Sequence, residues 1–439
     1  MIVMKFGGSS VAQAERIRQV CEIVKSRLPQ SPVVVASAFR GVTDELLNLA
    51  RASLQGDASL LDRIRSRHLA IARKLGLSPE ILESCLARLG DLVRGISLLK
   101  EITPRTLDLV ASFGERLSTR LIAAFLARGG IPARQVDAFE AGLLTDERFG
   151  SANPLPEAEE EIRRAFSGFR DLPVVTGYIG RTRSGDVTTL GRNGSDYTAT
   201  ILGAALDASE VQIWSDTDGI MTADPRLVPK ALPIEALSFA EACELAFYGG
   251  RVLHPHTLIP AMRKNIPVRV LNTFKPEHPG TAILARLEKP SQGVKSIAFK
   301  KHQFILTVTS PRMLAGPGFL ARIFEALSRH GIDVDMVSTS EVSVSATAAS
   351  SENLERASEE LSGEFEVAIE RDRAVLCVVG DGIRSRPGVA AEVFGAVAEA
   401  GVNVLMISQG ASKNNIAFAV AESEVAKAVS SLHRRFFGS

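Results

Sequence analysis

A three-layer α/β sandwich on a mainly parallel sheet, followed by two small α+β modules, is what the sequence predicts, and three observations carry the prediction. Short β-branched runs alternate with helical patterns across the first 285 or so of 439 residues. The stretch LARLEKPSQGVKS, around 284 to 296, interrupts that alternation with proline, glycine and charge, as a linker does. Behind it, one pattern of strand, Pro-Gly turn, helix and strand occurs twice at an offset of 70 residues. The expected division is therefore 1–285 for the large domain, 286–302 for a linker and the strand leading onward, and 303–372 and 373–439 for the two modules.

The strands of the large domain are read from IVMKFGG, SPVVVASAF, IPARQVDAF, DLPVVTGYIG, ASEVQIWSD and IPVRVLN. Nearly continuous apolar runs of this kind, separated by amphipathic helices, belong to parallel sheets covered on both faces. Between Gly41 and Ser112 lies a long helical excursion, expected to form a lid or a substrate-side insertion. In the repeats, nine of the 24 positions from Pro317 to Ser340 are identical at the 70-residue offset, among them Gly318, Phe324, Gly331 and Met336. Leu320, Ile323, Phe324 and Leu327 recur at helical spacing as the inner face of the first module's helix, with Arg322, Glu325 and Arg329 opposite.

Composition narrows the function. A formal net charge of +1 gives no reason to propose nucleic acid or an anionic membrane as a partner. No apolar run approaches the length of a spanning helix, and MIVMKFGGSS has neither the basic start nor the apolar core of a secretion signal. Cys21, Cys85, Cys243 and Cys377 are far apart, with no Cys-x-x-Cys, which fits a reducing cytoplasm and argues against zinc.

Two loops have the makings of anion cradles. In MKFGGSS a strand carrying Lys5 opens into Gly7, Gly8, Ser9 and Ser10 before a helical stretch; backbone amides, a helix N-terminus and an ammonium together suit a phosphate. The alternative is a glycine turn serving packing alone. In TTLGRNGSDYTAT, Gly191, Asn193 and Gly194 can take left-handed angles, and Arg192 offers a two-pronged donor to a carboxylate or phosphate. Ser195 or Asp196 can cap the helix that follows, and capping alone would account for Asp196. Both loops are expected at the carboxyl edge of one parallel sheet, where ligands of open α/β folds bind.

Weaker signals accompany these. GPGFLA at Gly316 has the loose form of a dinucleotide fingerprint, but the loop recurs at Arg386 without its first glycine, so it reads as a repeat feature. Ser215, Asp216, Asp218 and Asp224 lie in a turn-rich loop after a strand. His254 and His256, with proline between them and no acidic cluster nearby in sequence, are expected to be structural.

At KFGGSS, GERLSTRLI, TTLGRNGSDYTA and WSDTDGIMTADPR the chain resembles the aspartate kinases of the amino-acid kinase family. The likeness continues through SFAEACELAFYGGRVLHPHT and NTFKPEHPGT to the repeats, which resemble that family's paired, ferredoxin-like ACT domains. The resemblance implies phosphorylation of the β-carboxylate of L-aspartate by ATP with Mg2+, giving 4-phospho-L-aspartate on the way to lysine, threonine and methionine. It implies that Lys5 stabilises the transferring phosphate, that Asp196 orients Lys5 or the metal-bound phosphates, and that Arg192 holds the α-carboxylate beside Asn193, Gly194 and Ser195. Thr43 and Glu115 would hold the rest of the substrate, Glu115 through its ammonium. Gly7, Gly8, Ser9, Ser215, Asp216, Met221, Arg226 and Arg251 match the nucleotide side, Arg251 standing where many relatives have lysine and Met221 where tyrosine is common. Met313, Phe319, Leu320, Asp333, Val334, Asp335, Ser340 and Glu341 match effector contacts. They resemble the lysine-sensitive members more than the threonine-sensitive ones, though the same residues could form only a helix cap and a strand edge. A homodimer through the ACT domains is implied, with a tetramer as the alternative. Because the chain ends at Ser439, shortly after the second repeat, a kinase without a fused dehydrogenase is expected.

Overall fold

The structure is a computed structural model that describes all residues except 251–252, 288–292, 312–317, 350, 384–385, 410–413 and 439. Two compact units emerge. One comprises Met1–Ile220, Glu235–Phe239 and Val252–Leu287; the other comprises Met221–Ile234, Ala240–Arg251 and Glu288–Ser439.

In the first unit all six expected runs are strands of one eight-stranded sheet. Its order is Ala133–Val136, Leu172–Thr176, Pro32–Ala36, Ile2–Phe6, Glu210–Ser215, Val268–Asn272, Thr281–Leu284 and Ala236–Ser238. The six are parallel throughout; Thr281–Leu284 turns antiparallel against Val268–Asn272. Every residue of Ile2–Phe6 and Pro32–Ala36 is buried, as central strands covered on both faces must be.

Helix Ala14–Ser26 shows how a covering layer is coded. Ile17, Val20, Cys21 and Val24 are buried at helical spacing, with Glu15 in its first turn and Lys25 in its last. The excursion after Gly41 folds into helices Val42–Ser53, Ser59–Lys74, Glu80–Leu99 and Pro104–Ala111. It is not a lid: Leu46, Leu49, Ile64, Leu82, Leu89 and Val93 belong to the same hydrophobic cluster as Met4, Ile17 and Leu117. Burial on that scale, at about 1.5–3 kcal/mol per large side chain, makes the excursion a fixed wall.

In the second unit a six-stranded antiparallel sheet runs Val334–Thr339, Ser343–Ala348, Ser296–Thr309, Glu366–Val379, Asn415–Ala421 and Met406–Ser408. The long strand Ser296–Thr309 pairs with Glu366–Val379 along both of its halves, interrupted by a register shift near Gln303. The two repeats thus share one sheet. Gly318 (φ +94°) and Gly388 (φ +90°) stand immediately before helices Phe319–Arg329 and Val389–Glu399, each in the left-handed region that favours glycine. The inner face of the first of these helices departs from expectation at one position. Ile323 and Leu327 are buried and Phe324 packs against the core, but Leu320, in the first turn, is 46% exposed. The dinucleotide-like GPGFLA begins outside the described residues.

Candidate active site

The loops at the carboxyl edge of the parallel sheet enclose a cavity of about 530 Å³. Lys5, Gly8, Thr43, Glu115 and the run Arg192–Asp196 all line it, so both suspected cradles open into one space.

Lys5 is the fourth residue of strand Ile2–Phe6, and its ammonium lies 2.5 Å from Asp196 Oδ1, with little of either side chain exposed. Asp196 is not a helix cap. Helix Gly194–Ala205 starts at Gly194, preceded by Asn193 in the left-handed region (φ +57°) and without any side-chain cap, so Asp196 sits within the first turn with its carboxylate directed to Lys5. Gly191 is left-handed as expected (φ +73°), but Gly194 is helical. Gly194 is required for space: a Cβ there would lie 2.7 Å from the Tyr178 ring.

Glu115 is in the first turn of helix Phe113–Arg128, with only 3% of its surface exposed. Its Oε1 accepts a hydrogen bond from Ala38 N at 3.0 Å, while Oε2 is buried without a hydrogen-bond partner among the described residues. Burial pushes its carboxyl up to about 8, against the pull of the Ala38 amide and of Lys5. A buried, half-satisfied carboxylate of this kind calls for a cationic donor. Thr43 is the second residue of helix Val42–Ser53, which starts after Gly41 (φ +84°).

On the other side of Lys5 the glycine loop differs from the simplest cradle. Helix Ala14–Ser26 begins five residues beyond Ser9, so its N-terminus does not directly follow the glycines. The loop is instead tied to its neighbours. Gly7 N donates to Trp214 O (3.1 Å), Ser9 O accepts from Arg16 Nη1 (2.5 Å), and Ser10 Oγ bonds Thr273 Oγ1 (2.7 Å). Thr273 N in turn donates to Ser215 O (2.9 Å), linking the loops that follow three adjacent strands. A Cβ on Gly8 would come within 2.7 Å of Ala38 O, so only glycine allows those two loops to approach.

The remaining expected residues lie outside the cavity lining. Asp216 is exposed and Ser215 Oγ bonds Thr217 Oγ1. In the second unit, Met221 O accepts from Ser296 Oγ (2.8 Å), and exposed Arg226 is paired with Asp224. Arg251 and Met313 lie outside the described residues. Of the effector positions, Phe319 stacks edge-on against Phe365, Asp333 and Glu341 are exposed, and Val334 is half-buried. Asp335 pairs with Lys300 at 2.6 Å, and Ser340 Oγ bonds Ser343 Oγ. His254 accepts from His256 N at the start of helix Pro255–Arg263, the structural role expected of it. Among the described residues no cluster of three or more His, Cys, Asp or Glu could hold a metal, and no helix is long and apolar enough to cross a membrane.

Sequence reasoning missed Tyr178, Gly150, Arg40 and Asp44, which also line the cavity. Tyr178 has φ +70°, an unusual angle for a bulky residue, and no sequence signal announces it. The preceding Gly177 is required for space, since a Cβ there would stand 2.5 Å from Ser195 Cβ.

A family model for the amino acid kinase family matches residues 1–272, and one for the ACT domain matches 306–365 and 376–436. Aspartokinase 3, chloroplastic, of Arabidopsis thaliana is 41% identical over 455 residues, covering 99% of this chain and 81% of that protein. The crystal structure of Escherichia coli aspartokinase III with aspartate and ADP (R-state) has a TM-score of 0.86 at 36% identity, with all of both chains covered. That of E. coli aspartokinase III with lysine and aspartate (T-state) has a TM-score of 0.78 at 36% identity, covering 100% of this chain and 99% of that one. The chain belongs to the amino acid kinase family and, within it, to the aspartokinases, phosphotransferases with a carboxyl acceptor that carry ACT domains.

Proposed function

We propose that this chain transfers the terminal phosphoryl group of MgATP to the β-carboxylate of L-aspartate, forming 4-phospho-L-aspartate, and that a free amino acid, lysine before threonine, restrains it through the ACT domains. The observation that carries the first part is the lining of the cavity, where Lys5 with Asp196, Arg192 and the half-satisfied Glu115 face the same space.

The chemistry needs little else. A carboxylate with a reference pKa near 4 is already ionised at neutral pH, so the nucleophile requires no general base. The demand is to bring anions together and to neutralise charge developing on the transferring group. Lys5 does the neutralising, fixed by Asp196. Arg192 grips the α-carboxylate with two parallel hydrogen bonds, supported by Asn193, Gly194 and Ser195. Glu115 takes the ammonium with the Oε2 that has no hydrogen-bond partner among the described residues, and Thr43 holds the opposite side. Gly7, Gly8 and Ser9 face the phosphates, and Ser215, Asp216, Met221, Arg226 and Arg251 serve the rest of the nucleotide. Magnesium arrives with the nucleotide as part of the substrate. It would keep most of its ligands from phosphate and water, as magnesium carried by a nucleotide does.

Phe319, Leu320, Asp333, Val334, Asp335, Ser340 and Glu341, with Met313, form the effector site. The exposure of Leu320, an apolar residue in line with a buried face, supports it. So does the lysine held, together with aspartate, by E. coli aspartokinase III. Residues 1–285 make the catalytic domain, 303–372 and 373–439 the two regulatory modules, and a cytoplasmic homodimer joined through them is the working assembly, with a tetramer the alternative. The reaction opens the route to lysine, threonine and methionine.

Trapping the acyl phosphate with hydroxylamine, with aspartate, glutamate and acetylglutamate in parallel, tests the substrate. Turnover on glutamate alone, or on none, refutes the proposal. Inhibition by threonine without inhibition by lysine overturns the effector assignment.

A further inference from the structure

Asp108 does not itself line the cavity, yet it is tied to two of the segments that form it. It is the fifth of the eight residues of helix Pro104–Ala111 and is 4% exposed. Its Oδ2 accepts from Gly150 N (2.9 Å) and from Thr189 N (2.8 Å), and its Oδ1 accepts from Thr189 Oγ1 (2.9 Å). The basic side chain on the same helix, Arg105, pairs with Asp186 instead. Burial raises the Asp108 carboxyl from its ordinary value despite those three bonds. A buried acid held by neutral donors alone serves as an acceptor, a role that a neutral side chain of the same shape can also fill.

What it fastens is a wall. Gly150 lines the cavity, and Thr189 leads through Leu190 directly into Gly191 and Arg192, which line it too. The two segments are in contact: a Cβ on Gly191 would stand 3.2 Å from Gly150 O, and Ala152 N donates to Thr189 O (2.9 Å). Asp108 grips both from behind, where the excursion helices meet the sheet-edge loops.

We propose that Asp108 is a positioning residue for the acceptor substrate, holding the Gly150 and Gly191–Arg192 segments in register so that the Arg192 guanidinium meets the α-carboxylate. The inference rests on the assignment of Arg192 to the substrate carboxylate made above. A misplacement of about 1 Å at such a clamp can cost on the order of a hundredfold in rate, so a residue one layer removed is worth testing.

Because the role is to accept hydrogen bonds, the structure makes an unusual demand on the variants. In Asp108→Asn the amide oxygen can take both backbone N–H groups while the amide nitrogen donates to Thr189 Oγ1, so the two backbone bonds survive and the third is kept with its direction reversed, without charge. Asp108→Ala keeps none. Asp108→Glu keeps every acceptor but lengthens the arm by one methylene and displaces the wall.

The test is steady-state kinetics of the full chain with aspartate and MgATP varied separately, with circular dichroism to verify folding. Asp108→Asn is expected to keep the aspartate KM within about twofold of wild type, while Asp108→Ala raises it at least about tenfold with the ATP KM within about twofold. If the alanine variant does not fold, Asp108→Glu carries the same test, with an aspartate KM raised at least about fivefold and an unchanged ATP KM. The proposal is overturned if the folded alanine or glutamate variant leaves the aspartate KM alone, if both KM values move together, or if asparagine loses as much as alanine. Wild-type protein that fails to phosphorylate aspartate overturns the underlying functional assignment and this proposal with it; wild-type turnover with an insensitive Asp108 overturns only the latter.

Discussion

If Glu115 receives the ammonium of the acceptor, its raised pKa dictates how acceptor binding depends on pH. With the carboxyl at about 8, roughly one tenth of the empty sites are ionised at pH 7, half at pH 8 and nine tenths at pH 9. A ligand that binds only the ionised form sees its dissociation constant divided by that fraction. Since the protonated form prevails below the pKa, affinity is gained as pH rises through 8. At saturating MgATP, kcat/KM for aspartate should climb about fivefold from pH 7 to pH 8 and less than twofold more by pH 9. Glu115→Gln keeps the shape and an acceptor for Ala38 N but removes the charge. Breaking a buried ionic pair in this way costs about 3 kcal/mol or more, which raises the aspartate KM by roughly two orders of magnitude. It should also flatten the pH profile and leave the ATP KM in place. ADP release followed by a coupled assay reads all of these. A wild-type profile that is flat from pH 6.5 to 8.5, or a Gln variant with the wild-type slope, would refute the pairing.

Other perturbations test other parts of the site. Lys5→Ala should lower kcat by about a hundredfold or more while circular dichroism stays native, since it removes the positive charge aimed at the transferring group; a wild-type rate would make the glycine loop structural. Arg192→Lys keeps charge but loses the two-pronged geometry, so the aspartate KM should rise about tenfold with little change for ATP, as measured by initial rates. In Gly177→Ala the new methyl would stand 2.5 Å from Ser195 Cβ, so thermal melts should show a loss of about 1–3 kcal/mol together with weaker aspartate binding. His68, fully buried and stacked at 4.8 Å on Phe39 next to the cavity loop, is pushed down to about 4 by burial. The unfolded chain therefore binds the extra proton first, and stability is lost as pH falls from about 6.5 to about 4, by roughly 3 kcal/mol. Urea titrations should show that His68→Leu removes this part of the acid sensitivity.

The central parallel strands Ile2–Phe6 and Pro32–Ala36 were legible because each is a short apolar run buried on both faces, a pattern visible in the local sequence. The meeting of Lys5 with the Arg192 loop was legible for a topological reason, since parallel strands send their following loops to one edge. Features that depend on long-range packing were not. Of the two forms expected after Gly41, a lid or a substrate-side insertion, the lid fails because the apolar positions there meet Ile17 and Leu117, partners the helical pattern cannot name, while Thr43, Asp44 and Leu47 do line the cavity. Leu320 fits the inner-face spacing but occupies the first turn, beyond the reach of the core beneath Ile323 and Leu327. Asp196 reads as a cap by residue type, and only its distance to Lys5, 191 positions earlier, changes its meaning. Asp108 and Tyr178 carried no signal: one acts through backbone amides, and the other through a backbone angle.

The same electrostatics gives the cavity a way to order its charges. Lys5, Arg40 and Arg192 line it with Asp44, Glu115 and Asp196, which on paper would cancel. With Glu115 held protonated at neutral pH by its burial, three cations face two anions, and the empty site is left positive. That favours entry of the polyanionic nucleotide and of a dicarboxylate. On the proposed assignment, arrival of the acceptor's ammonium would then draw the proton from Glu115, so the acceptor supplies the countercharge that ionises its own anchor. A raised carboxyl pKa next to Lys5 therefore serves the chemistry in both states: neutral, it leaves Lys5 with Asp196 as its one anionic partner in the lining and adds no second charge to repel phosphate; charged, it is matched by the ligand's ammonium.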